Sequence, residues 1–164
     1  MPFRGSPSER HPTALNPLCV EAAAVEPPMN SYADTVNHWL TLRAPESHLD
    51  EEGMTLLSAE DQTVIALQVP ENSDVCYFYA PVRPVSADLP EADLYFALEL
   101  NRFGRPLGSC WLAWDPEFAM LTLCHNLHIP SSDAISFSNT VDNFFHSLRE
   151  ARHRLNLRQT ETIT

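Results

Sequence analysis

The chain contains no lysine: all ten of its basic residues are arginines, set against 22 aspartates and glutamates. That absence excludes Schiff-base chemistry, lysine general bases and the lysine of a phosphate-binding loop. Glycine is nearly as scarce, four in 164 residues, which leaves no glycine-rich cradle for a phosphate. No Cys-x-x-Cys pair exists. Cys19, Cys76, Cys110 and Cys124 stand far apart, three of them inside apolar strand-like runs, as expected of reduced thiols buried in a cytoplasmic protein. No apolar run approaches a membrane span, and Pro12, Asn16, Pro17 and Glu21 interrupt the stretch after Arg4 and Arg10 where a secretory core would lie. With a net charge of −12 and a pI near 4.8, nucleic acid and anionic membrane surfaces are poor partners.

What the chain does have is pattern. Its length suits one domain of roughly 100 to 150 residues with a single core. Residues 1–28 hold six prolines among Ser, Ala and Glu and are expected to form a disordered Pro-rich tail, with the domain at 29–157 and a short C-terminal tail at 158–164. Because Met29 stands directly ahead of the first helix signal, it is a candidate for the true translation start. Asn30 or Ser31 can cap that helix, Asp34 answers in capping-box fashion, and Tyr32, Val36, Trp39 and Leu40 share a face before Pro45 ends it. Three strands follow at Met54–Ser58, Val64–Val69 and Val75–Val82, separated by acidic or polar turns. The third is apolar on both faces, so both must be covered, by the chain or by a partner.

A second helix, Glu91–Arg102, opens after Pro90, carries Leu94, Tyr95 and Leu98, and can stop at Gly104. Strands Ser109–Trp114 and Ala119–Leu127 then form a hairpin about Asp115-Pro116-Glu117. Trp111 and Trp114 must point to opposite faces, so one indole lies away from the closing helix, where burial against a second copy of the chain would protect it. That closing helix has the clearest signal: Phe137, Val141, Phe144, Leu148, Ala151 and Leu155 make one apolar stripe, widened by Phe145 and Ile135, with Ser147 among the residues off the stripe. Ser131 and Ser132 are its candidate caps, Asp133 suits its first turn, and Arg149, Arg152, Arg154 and Arg158 suit its last turns. The fold expected is α+β, in the order α-β-β-β-α-β-β-α, with a twisted antiparallel sheet packed by helices.

Reactive constellations are weak. Cys124-His125 with His128 offers one thiol and two histidines at strand-end spacing, less than a thiol nucleophile or a metal site needs. Asp88, Glu91 and Asp93 surround a helix start, where acids are favoured in any case. Asp50-Glu51-Glu52-Gly53 lacks the alternating ligand spacing of a calcium loop and reads as a solvated turn. No catalytic residue, metal or cofactor is expected.

The run Phe96-Ala97-Leu98-Glu99-Leu100-Asn101, then Gly108-Ser109-Cys110-Trp111-Leu112-Ala113-Trp114-Asp115-Pro116, Leu121-Thr122-Leu123 and Leu127-His128-Ile129-Pro130, with the closing Phe-rich helix, resembles the class I chaperones of bacterial type III secretion, the Tir chaperone-like family. The resemblance covers about residues 30 to 156 and is strongest after residue 90; the Pro-rich tail departs from it. It implies a cytoplasmic homodimer that binds the N-terminal segment of a secreted effector and keeps it non-globular, with the secretion ATPase as a further candidate partner. On that resemblance Leu94, Leu98, Trp111 and Ala113 map to the dimer interface. The first helix and first three strands would hold the effector, with Val36, Leu40, Leu56, Val64, Ala66 and Tyr77 as expected groove-lining residues, partly by strand addition. Two alternatives stand beside it: a small α+β enzyme using Cys124 or a histidine, and a general adaptor of the same fold.

Overall fold

The structure, a computed structural model, describes residues 31–85, 91–102 and 106–162. The elements are α1 (Ser31–Arg43), β1 (Met54–Ser58), β2 (Val64–Gln68), β3 (Val75–Pro84), α2 (Glu91–Leu100), β4 (Trp111–Asp115), β5 (Met120–His128), a 3₁₀ turn (Ile129–Ser131) and α3 (Ala134–Thr162). This is the α+β order expected from the sequence. Asn30, Pro90, Gly104 and the 1–28 tail lie outside the described residues, so the expected cap, the two boundary signals and the Met29 start find no counterpart there.

The five strands form one antiparallel sheet in the order β1-β2-β3-β5-β4. Strand alternation sends Leu57, Ile65, Leu67, Cys76, Phe78, Ala80, Leu121, Leu123 and Leu112 to one face, and all are buried. Against that face lies α3, whose stripe from Phe137 to Leu155 is at most 1% exposed at each of its six positions. The Phe78 ring packs tilted against Phe137 and Phe144, at 6.2 and 5.8 Å between centroids, and Trp39 of α1 packs on Phe137 at 5.6 Å. Four aromatic rings thus tie α1, β3 and α3 into one core.

Two details of α3 differ from the sequence reading. Ile135 does not widen the stripe; it stands 72% exposed, because it sits in the first turn beyond the reach of the sheet. Ser147 is buried, and its hydroxyl is satisfied by donating to the Leu107 carbonyl at 3.3 Å. The cap is also displaced. Asp133 is the N-cap, its carboxylate accepting the Ser136 amide at 2.7 Å while the Asp133 amide donates to the Ser136 hydroxyl at 2.9 Å. The Ser136 hydroxyl and then the Ser136 amide, both donating to the carboxylate, hold the Asp133 carboxyl below its usual range. The Ser132 hydroxyl instead donates to the His128 carbonyl, at the turn that Pro130 begins.

Two of the arginines of α3, Arg149 and Arg152, act as braces to the sheet, while Arg154 pairs with Glu150 within the helix. Arg149 bonds Asp61 in the β1–β2 turn at 2.7 Å, and Arg152 donates to the Pro81 carbonyl of β3 at 2.6 Å. At the other end Arg43 of α1 makes a two-point contact with Asp142 and also reaches the Ser138 hydroxyl. The helix continues to Thr162, past the boundary at 157 expected for the domain.

Candidate functional site

The opposite face of the sheet has no helix over it among the described residues. Following the registers across it, Leu56 pairs with Ala66, Ala66 with Tyr79, Gln68 with Tyr77, Tyr79 with Cys124, Cys124 with Trp111, and Thr122 with Ala113. All of these side chains therefore share one outward surface running from β1 to β4. Leu56 is 63% exposed, and Val64, Tyr77 and Trp111 are each about two-fifths open to solvent. Soluble chains seldom leave such a continuous apolar row bare without a partner for it.

Two hollows cross this face. One of 390 Å³ is lined by Gln68, Tyr77, Tyr79, Trp111, Ala113 and Cys124 among others. The second, of 480 Å³, lies toward the hairpin end between Tyr79, Pro81, Phe118, Met120 and Thr122. Phe118, 70% exposed beside the β4–β5 turn, was given no role by the sequence reading. Its place is set by the Asp115 carboxylate, which accepts the amides of Glu117 and Phe118 and so fixes the turn.

The expected site residues divide by depth. Leu56, Val64, Ala66 and Tyr77 come together on the outward face. Val36 and Leu40 are fully buried in the core and present no surface in the single chain. Trp111 and Ala113 are on the outward face at β4, and Leu94 and Leu98, 42% and 63% exposed, project from α2 while Ala97 and Leu100 of the same helix are buried. Trp114 lies on the other face of β4, as the alternation requires, and is half exposed.

The two edges of the sheet are unlike. At β4 the Asn101 amide, just past α2, accepts the Leu112 amide at 2.8 Å and donates to the Leu112 carbonyl at 3.2 Å. A side-chain amide there stands in for a neighbouring strand at Leu112, which with Trp114 is one of two β4 residues whose amide and carbonyl turn away from β5. At β1 the edge is closed only at its first residue, where the Met54 amide donates to the Asp50 carboxylate and the Met54 carbonyl accepts the Asp50 amide, both at 2.8 Å. Since the Met54 amide and carbonyl turn away from β2, the antiparallel alternation turns those of Leu56 and Ser58 the same way, with no strand beyond them among the described residues. Sequence reasoning missed Asn101; the signal available was an amide placed directly after a helix end and ten residues before a strand.

Gly53 sets the start of β1. Its φ of +73° favours glycine, and an added Cβ would sit 2.2 Å from the Val69 carbonyl oxygen. Its carbonyl accepts the Val69 amide at 2.8 Å, locking the two strands in register.

The thiols are poorly placed for chemistry. Burial pushes the Cys76 thiol up to about 12, and burial followed by the Asp115 and Cys110 charges raises Cys124 as well. His125, next in sequence, faces the other side of β5, in contact with the Phe78 ring and hydrogen-bonded to the Ser109 carbonyl at 3.3 Å. It therefore cannot serve Cys124 as a base within the strand. His128 is engaged with the Ser131 hydroxyl at 2.8 Å and with Asp74 at 3.3 Å. Among the described residues no three His, Cys, Asp or Glu side chains converge on a metal position, and no helix is long and apolar enough to cross a membrane.

No curated protein sequence matches the chain. Among solved structures, it is similar to the ExsC-ExsE complex, with a TM-score of 0.60 at 19% identity over 75% of this chain and 95% of that one. It is similar also to the heterodimeric ExoU-SpcU complex from the type III secretion system of Pseudomonas aeruginosa, with a TM-score of 0.56 at 18% identity over 73% and 93% of the two chains. A third likeness is to the Yersinia pestis type III secretion chaperone SycH in complex with a stable fragment of YscM2, with a TM-score of 0.56 at 17% identity over 74% and 99%. At these identities the likenesses establish the fold. The family follows from sequence: residues 40–152 match the Tir chaperone protein (CesT) family, and the chain belongs to it.

Proposed function

We propose that the chain is a cytoplasmic chaperone of a bacterial type III secretion system that binds the N-terminal segment of a secreted effector and keeps it non-globular until export. The observation that carries this reading is the combination of a bare apolar sheet face with an open β1 edge at Leu56 and Ser58. An extended client segment adds to that edge through main-chain hydrogen bonds, which hold it without reading its sequence, while its alternate side chains meet Leu56 and the chain flanking the added strand crosses the bare face over Val64, Ala66 and Tyr77. Val36 and Leu40 contribute from beneath, as part of the core that seats α1. Ordering a flexible client costs several kcal/mol, so a wide contact surface is required, and the breadth of this face suits it.

The β4 side is assigned to self-association. Trp111 and Ala113, with Leu94 and Leu98 of α2, form the surface through which two copies pair, and the Asn101 cap on Leu112 disfavours pairing that runs on into a continuous sheet. The secretion ATPase is retained as a further partner of the loaded complex. No catalytic step and no cofactor are assigned.

Co-purification of the untagged partner set from the native host, followed by mass spectrometry, tests the proposal. Recovery of a secreted protein held through its N-terminal region is the expected result; recovery of no exported protein overturns it. A Cys124→Ser variant that loses function while retaining its partners would return the thiol-enzyme reading to first place.

A further inference from the structure

We infer that residues 18–26 of this chain occupy its own β1 edge as a stand-in client, adding as an antiparallel strand that an effector segment displaces. This inference rests on the strand-addition reading above and adds a regulation of that same edge from within the chain.

The edge offers Leu56 and Ser58, whose amide and carbonyl turn away from β2 with no strand beyond them among the described residues. The start of α1 lies close by. Tyr32 and Ala33 line a 570 Å³ cavity together with Asp50, Glu51, Glu52 and Gly53, the turn that leads into β1. One turn further along α1, the Asn37 side chain accepts the Leu49 amide at 2.8 Å and ties the helix to that approach. Residues 1–30 therefore join the fold beside the first residue of the open edge.

Composition singles out one stretch of that segment. Pro2, Pro7, Pro12, Pro17, Pro27 and Pro28 interrupt it, and a proline has no amide to give to a ladder. Residues 18–26 are the one run of nine between prolines, Leu-Cys-Val-Glu-Ala-Ala-Ala-Val-Glu, while every other run there is four residues or shorter. Extended, this run puts Leu18, Val20, Ala22 and Ala24 on one side. When that row continues the bare face beside Leu56, the amides of Val20 and Ala22 turn toward β1. Residues 27–30 reach up to about 14 Å, a span suited to passing from the start of α1 to the start of β1. With residue 26 tethered there, the run proceeds from the Ser58 end toward Met54, antiparallel to β1. Pairing stops where Asp50 holds the Met54 amide and carbonyl, which is where Pro27 and Pro28 follow. So short a tether gives an effective concentration on the order of millimolar, and even a weak pairing then fills the edge. Glu21 and Glu26, set in an acidic chain, keep the pairing weak enough for a client to displace it.

The test uses the full chain, its Val20→Pro/Ala22→Pro variant and a Ser6→Pro/Ser8→Pro control, probed by fluorescence anisotropy with a fluorescein-labelled Val-Thr-Val-Thr-Val peptide. The peptide is expected to bind the Val20→Pro/Ala22→Pro variant about tenfold tighter than the other two chains, because the edge is then free in a larger fraction of molecules. Hydrogen exchange should move with it, the Leu56 and Ser58 amides exchanging about tenfold faster in that variant than in the full chain. Equal binding by all three chains, or exchange that the variant leaves unchanged, overturns the inference and leaves strand addition standing. A gain shared by the control reports a stiffer tail in place of a vacated edge and overturns it too. So does an intact mass, for the protein from its native host, that begins at Met29. Binding of the peptide by none of the three chains overturns strand addition and the inference together.

Discussion

The two faces of this one sheet obey the same alternation and meet opposite fates. On one, Phe78 is 1% exposed beneath Phe137 and Phe144 of α3; on the other, Tyr77, its neighbour in β3, is 39% exposed with no helix above it among the described residues. Both faces are apolar enough to need covering, and the described residues supply a cover for one. The lesson is that apolar character alone does not separate core from interface; the number of helices available to cover the sheet does.

Four substitutions and one titration would break or sharpen that contrast. Phe144→Ala, on the covered face, removes a fully buried ring from the aromatic cluster and should cost about 3–5 kcal/mol in denaturant unfolding. Trp111→Glu, on the bare face at β4, should leave the subunit folded yet shift light scattering from twice the chain mass to 18.5 kDa, since a charge in an interface core costs about 2 kcal/mol or more. A variant that remains dimeric would move the self-association surface elsewhere. Asn101→Ala strips the β4 edge of its stand-in partner and should lower stability by about 1–2 kcal/mol, with concentration-dependent association as the second readout. Leu56→Ser should change stability by no more than about 0.5 kcal/mol, because the side chain is already largely in water, while weakening client binding several-fold.

The titration concerns His125, on the covered side. Burial holds its imidazole below the ordinary histidine value, with the Ser109 carbonyl bond opposing in part. As pH falls through about 6.5 the unfolded chain takes up the proton first, so the unfolded state binds more protons and stability declines with acid. His125→Gln should therefore narrow the difference between urea midpoints measured at pH 7.5 and pH 5.5. An unchanged difference would mean that the ring stays hydrated in the folded chain despite its contact with Phe78.

Much of this architecture was legible in the residues. The α3 stripe was read position by position because six apolar residues at helical spacing have no other economical arrangement, and all six are buried. The strands were read to within two residues or so at each end, and the opposed tryptophans of β4 follow from a period of two. Ile135 and Ser147 were not legible, since a helical wheel assigns a direction but not how far the opposing sheet extends or where a loop carbonyl waits. Val36 and Leu40 illustrate the same limit for the site. Their spacing marks them as one apolar face of α1, and only the position of α3 decides that this face is core.

By itself, then, the sequence determined the elements, their order, the antiparallel hairpin and the exclusion of lysine- or glycine-dependent chemistry, because these depend on local periodicity, turn geometry and composition. Tertiary structure alone decided which sheet face is bare, which edge is open, and that Asp34, Asp50 and Glu71, far apart in the chain, line one cavity. The physical reason is that covering and closing are relations between elements: Asn101 caps β4 at Leu112 only because α2 ends beside it, and β1 is open at Leu56 and Ser58 because among the described residues no element lies beyond it.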